Sequence, residues 1–571
     1  MSGGTDKGGT ISKFAKDTAS AYREMEMDGR RYATFVVLPA TVVLLIVVGV
    51  LVVVRPPAII SAPVGLFGIF AVIVAAVYPK ISLENRKTEI NEKFHLYITH
   101  MTVLSTTNID RVEVFRKLSN ESEYGELATE TRRIVETVET WNQSLDDACR
   151  KRAEKVPSDI MSDFLDRLAY VMGAGDDLGD FLMREQETMV DEYTTMYEGN
   201  LGNLDVLKDL YLSMILSMAF GLVFAIILPI LTGTDPVMVV GIVVLIFGFV
   251  QAGFLYAIKV TVPFDPVWYF PDDEKTRAKR IIQITFGAAV VLSVPIGAFV
   301  AASFFGLAPF PFDAFSPELY LAATVAPFLI PGLLIRRIEK KVKRRDEVYP
   351  DFIRGLGSVE SAKQTTTTAV LSDLREKDFG KLTPQIDNLY KRLRMRIEPE
   401  GAWRRFMQEC GSYLIQKFSG MYLVGREMGG DPRQLGELIN KNFNTVLQLR
   451  EHRNRMTVTI IGVLYGMTAA MSFALFLGVE IVKILTDVSS EFDLSQMGFG
   501  QLLHPDIYNI QIIRIEVIAI VFLNAVMSSL MIRMVDGGHK ANSSLHFVAL
   551  TWMGCGIGIA TGVVAETVIN V

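Results

Sequence analysis

Two short runs place glycine beside aspartate: Gly173-Ala174-Gly175-Asp176 and Gly429-Gly430-Asp431. The first has the Gly-x-Gly-Asp spacing in which a carboxylate, paired with a second close enough to share a proton, can activate water for peptide hydrolysis. Cutting a membrane-embedded substrate in this way requires the motif to lie at the membrane. The flanks DFLDRLAYVM and DLGDFLMREQ are amphipathic and charged instead, and the second run lacks the first glycine of the pattern. The same residues suit a plainer task. Glycine accepts the left-handed conformation that ends a helix, and aspartate caps the start of the next. The spacing therefore predicts two helix–turn–helix corners built on Gly173, Gly175, Asp176, Gly429, Gly430 and Asp431, which can also face a partner. No GxxxxGK[ST] run occurs, so phosphate-loop ATP hydrolysis must come from another protein. HExxH, GxSxG and Cys/His metal spacings are also absent, and the chain reads as neither an enzyme nor a cofactor binder. Cys149, Cys410 and Cys555 lie far apart, which fits a reducing cytoplasm rather than a disulfide framework.

The densest charge is IRRIEKKVKRR, residues 335–345, where seven of eleven residues are Lys or Arg. These are Arg336, Arg337, Lys340, Lys341, Lys343, Arg344 and Arg345, and they follow the apolar run Leu319–Leu334 directly. Such a cluster holds a helix end on the cytoplasmic side and attracts anionic lipid by about 1 kcal/mol per basic residue. Together with Arg392, Arg394, Arg396, Arg404 and Arg405 it also offers a docking face for an acidic protein. Both readings stand on the sequence. A net charge of −6 and a pI near 5.7 give no case for nucleic-acid binding.

Half of the residues are hydrophobic and mean hydropathy is +0.31, yet 21% are charged. Polar domains must therefore alternate with membrane spans. Apolar runs predict nine spans: Thr34–Val54, Ala58–Tyr78, Leu210–Leu231, Pro236–Ile258, Ile281–Gly306, Leu319–Leu334, Thr457–Val479, Ile510–Ile532 and Leu545–Ile569. Lys and Arg recur at alternate ends, which puts the N-terminus and both large polar domains in the cytoplasm and the C-terminus outside. No cleaved signal peptide is read. The expected fold is all-α: a polytopic membrane protein of about nine transmembrane helices with two repeated cytoplasmic helical bundles. The parts are a tail and amphipathic helix (1–33), a transmembrane hairpin (34–79), an acidic bundle (80–208), four spans with a basic cytoplasmic loop at 259–280 (209–335), a basic bundle (336–456) and three spans (457–571). The acidic bundle carries 16 Lys and Arg against 26 Asp and Glu, net −10; the basic one carries 25 against 16, net +9.

The two polar domains can be laid over each other. Phe164-Leu165-Asp166-Arg167-Leu168-Ala169-Tyr170 precedes the first glycine turn and Phe418-Ser419-Gly420-Met421-Tyr422-Leu423 the second; each domain leads into apolar helices. Phe94 to Thr107, and Phe352 to the Thr365–Thr368 run, each read as a helix followed by a Thr-rich turn. On these features the chain resembles the type II secretion system F family of platform proteins, over roughly residues 90–540. The extra N-terminal hairpin and the span count look like its archaeal branch, whose members serve the archaellum (the archaeal flagellum) and adhesion pili. The resemblance implies a non-enzymatic platform at the base of a filament. It implies a hexameric secretion ATPase in trans, prepilin-like filament subunits and other cytoplasmic motor components as partners, and it leaves room for a homodimer. A type II secretion-like platform is the neighbouring reading. A transporter is the alternative from another class, raised by Glu480, Lys483, Arg514, Glu516, Asn524 and Glu566 in or near predicted spans. Only Asn524 and Glu566 among them read as deep, and matched broken helices are missing.

Overall fold

The computed structural model describes residues 58–107, 109–269, 277–304, 316–491 and 509–569, with six positions between 38 and 45. The expected N-terminal helix at 11–31, most of the first predicted span and the stretch 492–508 lie outside the described residues. Among the described residues every regular element is helical, and a single antiparallel bridge joins Trp268 to Ser412. The chain divides into two units, residues 1–189 and 190–571.

In the first unit, α1 (Ala58–Ser105), α2 (Arg111–Asn120), α3 (Glu126–Trp141), α4 (Leu145–Ala153) and α5 (Asp159–Ala174) precede the start of α6 (Leu178–Ile227). The predicted apolar face of α1 is buried: Phe94, Tyr97, Ile98, Met101 and Leu104 are each at most 2% exposed. In α2 the buried set is Val114, Phe115, Leu118 and Ser119, with Val112 left at the edge. Asp110 explains this register, because its carboxylate caps the helix at the Val112 amide and turns Val114 inward. Phe94 meets Phe164 edge-on at 5.4 Å, and the Tyr97 hydroxyl shares a hydrogen bond with Thr131 at 2.8 Å.

The second unit carries the rest of α6, a one-turn α7 (Pro229–Thr232), α8 (Pro236–Thr261), α9 (Arg277–Phe304), α10 (Pro317–Val325) and α11 (Leu329–Lys363). Then come α12 (Thr367–Leu374), α13 (Thr383–Arg394), α14 (Pro399–Cys410), α15 (Tyr413–Glu427), α16 (Pro432–Glu491), α17 (Ile510–Asp536) and α18 (Ser543–Ile569). Seven helices among the described residues are long and apolar enough to cross a membrane, and they hold predicted spans three to nine. The second predicted span is helical within α1. The chain is thus all-α and multi-pass. Pro327 interrupts the sixth span with a 3-10 turn between α10 and α11, because proline has no amide to continue the ladder.

Four helices join charged sequence to apolar sequence without a break: α1, α6, α11 and α16. The longest, α16, has 60 residues and so measures about 90 Å at 1.5 Å per residue. It packs against α11 where Gly357 faces Gly436; a Cβ on Gly357 would lie 2.2 Å from the Pro432 carbonyl oxygen. Below this crossing, α11 to α16 enclose an aromatic core in which Tyr349 and Phe443 lie 4.9 Å apart and Phe418 and Phe443 5.2 Å.

Candidate functional site

The basic run of α11 faces outward because the opposite side of the same helix is spoken for. Ile335, Glu339, Val342, Asp346 and Tyr349 are buried, at helical spacing. Arg336, Arg337, Lys340, Lys341 and Arg344 are left exposed, as are Arg394, Arg396, Arg404 and Arg405 near the ends of α13 and on α14. Arg404 pairs with Glu400 one turn away at 2.8 Å.

Three of the twelve expected docking residues do internal work instead. The Lys343 ammonium donates to Asp536 at 3.0 Å and lies 3.4 Å from Glu339. The Arg345 guanidinium donates to the carbonyls of Glu409 and Cys410 at 3.0 and 2.8 Å, where the end of α14 leaves acceptors without helical partners. Arg392 donates to the Glu409 carboxylate, so the two arginine groups meet at Glu409. Charge density in the sequence does not reveal this difference; Glu409 lies 17 residues from Arg392, and Asp536 lies 193 from Lys343.

Sequence reasoning missed a densely bonded junction of this unit. Arg450 of α16 donates to Asp265 through Nε and Nη2 at 2.7 and 2.5 Å, to the Pro266 carbonyl at 2.9 Å, and through Nη1 to Asp346 at 2.9 Å. Less than one turn on, Arg453 donates to the carbonyls of Val535, Met534 and Pro263 at 2.6, 3.1 and 3.3 Å. Trp268 Nε1 donates to Glu339 at 3.2 Å. Asp265 and Asp346 are 8% and 1% exposed. Removing the cation from such a buried set costs about 3–5 kcal/mol, because the carboxylates remain without compensation. Asp265, Asp346, Arg450 and Arg453 border a cleft of about 420 Å³ that Glu347, Asn444, Gln448 and Glu451 also line. One signal was present: Asp346 and Asp265 are acids set in basic and apolar surroundings.

The glycine corners are helix turns. Gly175 sits at φ +82° after α5, and the Asp176 amide returns to the Val171 carbonyl at 3.2 Å. Gly429 sits at φ +86°, and the Gly430 amide returns to Gly425 at 2.9 Å. The expected cap Asp176 is corrected by the geometry: Asp177 caps α6 by accepting from the Asp180 amide at 2.9 Å. Asp431 caps α16 from the Arg433 and Gln434 amides at 2.8 and 3.0 Å. The aspartate two residues beyond the left-handed glycine is the one that reaches the next helix, so Asp177 matches Asp431. Gly173 remains inside α5.

Inside the membrane region, Asn524 is 2% exposed and bridges Gln251 and Thr468 at 2.9 Å each. Glu318 is buried against Arg514 at 2.7 Å. Glu566, expected to be deep, has a 65% exposed side chain 3.8 Å from Lys483. It lies within one turn of the end of α18, where a long side chain reaches out. These polar groups tie helices to one another: Asn524 of α17 to α8 and α16, Arg514 of α17 to α10, and Glu566 of α18 to α16. All three cysteines are buried thiols, and burial pushes Cys149 and Cys410 well above the ordinary thiol range, so neither is poised as a nucleophile. Among the described residues no three His, Cys, Asp or Glu side chains gather as metal ligands.

A long helical scaffold of this kind has known relatives. The chain is 35% identical over 508 residues to flagella accessory protein J of Methanocaldococcus jannaschii, covering 88% of this chain and 89% of that protein. It belongs to the flagella accessory protein J family. The protein of the same name from Methanococcus voltae is 34% identical over 503 residues, 86% of this chain and 88% of that one. The Type II secretion system (T2SS), protein F family matches residues 97–228. No solved structure matches the chain. The family assignment agrees with the resemblance drawn from the corner motifs and the alternation of bundles and spans.

Proposed function

We propose that the chain is the membrane platform of a type-IV-pilus-like machine, the archaellum before an adhesion pilus, and that it has no catalytic role of its own. Its cytoplasmic bundles receive a hexameric secretion ATPase, and its helices pass the motion of that motor to filament subunits in the membrane. The observation that carries this reading is the continuity of α11 and α16 from charged bundle to apolar span. The names of the relatives favour the archaellum. The domain boundaries, the repeat of the two bundles and the topology with the C-terminus outside belong to the same reading.

The docking surface on this reading is the exposed basic face: Arg336, Arg337, Lys340, Lys341, Arg344, Arg394, Arg396, Arg404 and Arg405. The acidic first bundle then faces another motor component or the basic bundle of a second copy. Exposed charges of this kind act at long range and weaken with salt. The test is co-purification of the detergent-solubilised full chain with the secretion ATPase of its own operon. Reversal of Arg394, Arg404 and Arg405 to Glu should cut recovery of the ATPase at least tenfold at low salt and leave the chain's unfolding midpoint in place. Unchanged recovery removes this surface from the docking proposal. A folded wild-type chain that never retains the ATPase removes the platform reading itself.

A further inference from the structure

We infer that Arg450 makes the second cytoplasmic bundle and the membrane helices move as one body, by holding residues 262–269 as a fixed strap between them. The inference rests on the platform reading and says where motion crosses into the membrane.

The strap starts where α8 ends, at the Val262 amide bonded to the Ile258 carbonyl. Pro263 and Pro266 fix their own φ and hold Val262 and Asp265 to extended backbone. The segment therefore arrives straight and meets the corner between α14 and α15. There the Tyr269 amide donates to the Gly411 carbonyl at 3.0 Å and the Tyr413 amide donates to the Val267 carbonyl at 3.2 Å. Trp268 and Ser412 face each other between these two bonds. Phe264 stacks edge-on against Tyr413 at 6.5 Å.

Arg450 fastens this strap to both long helices at once. It stands on α16, grips Asp265 with two nitrogens and reaches Asp346 of α11 with the third. The planar fork of arginine allows this grip, whereas a lysine ammonium offers one point charge. Arg453 adds the strap's Pro263 and the last carbonyls of α17 to the same helix face. Four membrane helices, α8, α11, α16 and α17, thus meet in one bonded junction, and the α14–α15 corner of the bundle is part of it. Among the described residues, 262–269 leave no slack between α8 and the α14–α15 corner to take up a displacement of the bundle.

The experiment uses the full chain in its own cell membrane. Arg450→Lys keeps the charge and removes the fork; Asp265→Asn keeps the shape and removes the strap's anion. For each variant three quantities are measured: the amount of chain in the membrane, ATPase recovered with it, and filaments assembled per cell. The inference expects chain and ATPase within twofold of wild type, at least tenfold fewer filaments, and faster deuterium exchange at the Tyr269 and Tyr413 amides. Filament assembly within twofold of wild type in either variant overturns it. So does a parallel loss of ATPase and filaments from a chain still present, which is what a merely structural role gives. Should neither variant reach the membrane, the wild-type complex decides. The two amides must stay protected while the ATPase turns over ATP, and a tenfold rise in their exchange during turnover shows a strap that opens. Absence of the ATPase from the wild-type chain counts against the platform reading and takes this inference with it.

Discussion

The two helical bundles bury their acids to different ends. In the first, Glu130 is 2% exposed and is answered by Arg133 and Arg152 of neighbouring turns and helices, and Glu185 by Arg167. In the second, Glu360 is held in the same local way by Tyr422, Arg426 and Thr367. Higher on the same helix the pattern changes. Glu339 and Asp346 take partners from the strap, from α16 and from the turn that follows α17. A buried acid inside a bundle fixes the packing of that bundle. A buried acid at the membrane end of α11 fixes the relation of several membrane helices to one another. A low dielectric raises the penalty for separating such charges, so the second use makes a stiff joint from few residues.

This contrast can be broken by substitution. Arg450→Ala should lower stability by about 3–5 kcal/mol, since it strands two buried carboxylates. Arg152→Ala in the first bundle should cost about 1–3 kcal/mol, because Arg133 still answers Glu130. Denaturant midpoints of the purified chain in detergent, followed by tryptophan fluorescence and by limited proteolysis of each bundle, separate the two. Equal losses would mean that the junction is no tighter than an ordinary bundle ion pair. Next in size is Gly357→Val, which drives a side chain into the Pro432 carbonyl and should cost about 3 kcal/mol by overpacking. Gly175→Ala meets open space and loses only the comfort of φ +82°, about 1 kcal/mol. Thermal unfolding of the two variants should rank them in that order.

The smallest effects sharpen the comparison of the corners. Asp431→Ala and Asp177→Ala each remove a helix cap and should cost about 1 kcal/mol. Asp176→Ala should change stability by less than about 0.5 kcal/mol, as an exposed surface substitution does. It should also leave prepilin processing in the cell untouched. Loss of processing in that variant would restore the hydrolytic reading of the Gly-x-Gly-Asp run.

Much of this architecture is written locally in the chain. Apolar runs of about twenty residues, closed by Lys and Arg, mark predicted spans three to nine, and the corners are visible because glycine and aspartate do separate jobs at fixed spacing. Aligning the corners on the motif Gly-x-Gly-Asp rather than on the left-handed glycine shifts the cap by one residue, from Asp177 to Asp176. The junction was invisible for a different reason. Arg450 and Asp265 are 185 residues apart, and Lys343 and Asp536 are 193 apart. No periodicity links such pairs. Arg450 and Arg453 read as ordinary cytoplasmic charge before a span, and Lys343, Arg345 and Arg392 read as surface, since a sequence shows a cation without its partner.

The two long helices that share this joint differ in one residue type. The 60 residues of α16 contain no proline beyond its first position, whereas α11 carries Pro350 within its length, one turn past Asp346 on the side away from the membrane. A proline inside a helix removes one rung and opens the wall beside it, so flexure concentrates there. Its neighbour α16 keeps every rung past its first turn, so the pair sets an interrupted helix beside a continuous one. The two helices remain tied to each other at Asp346 and Arg450, one turn on the membrane side of that missing rung.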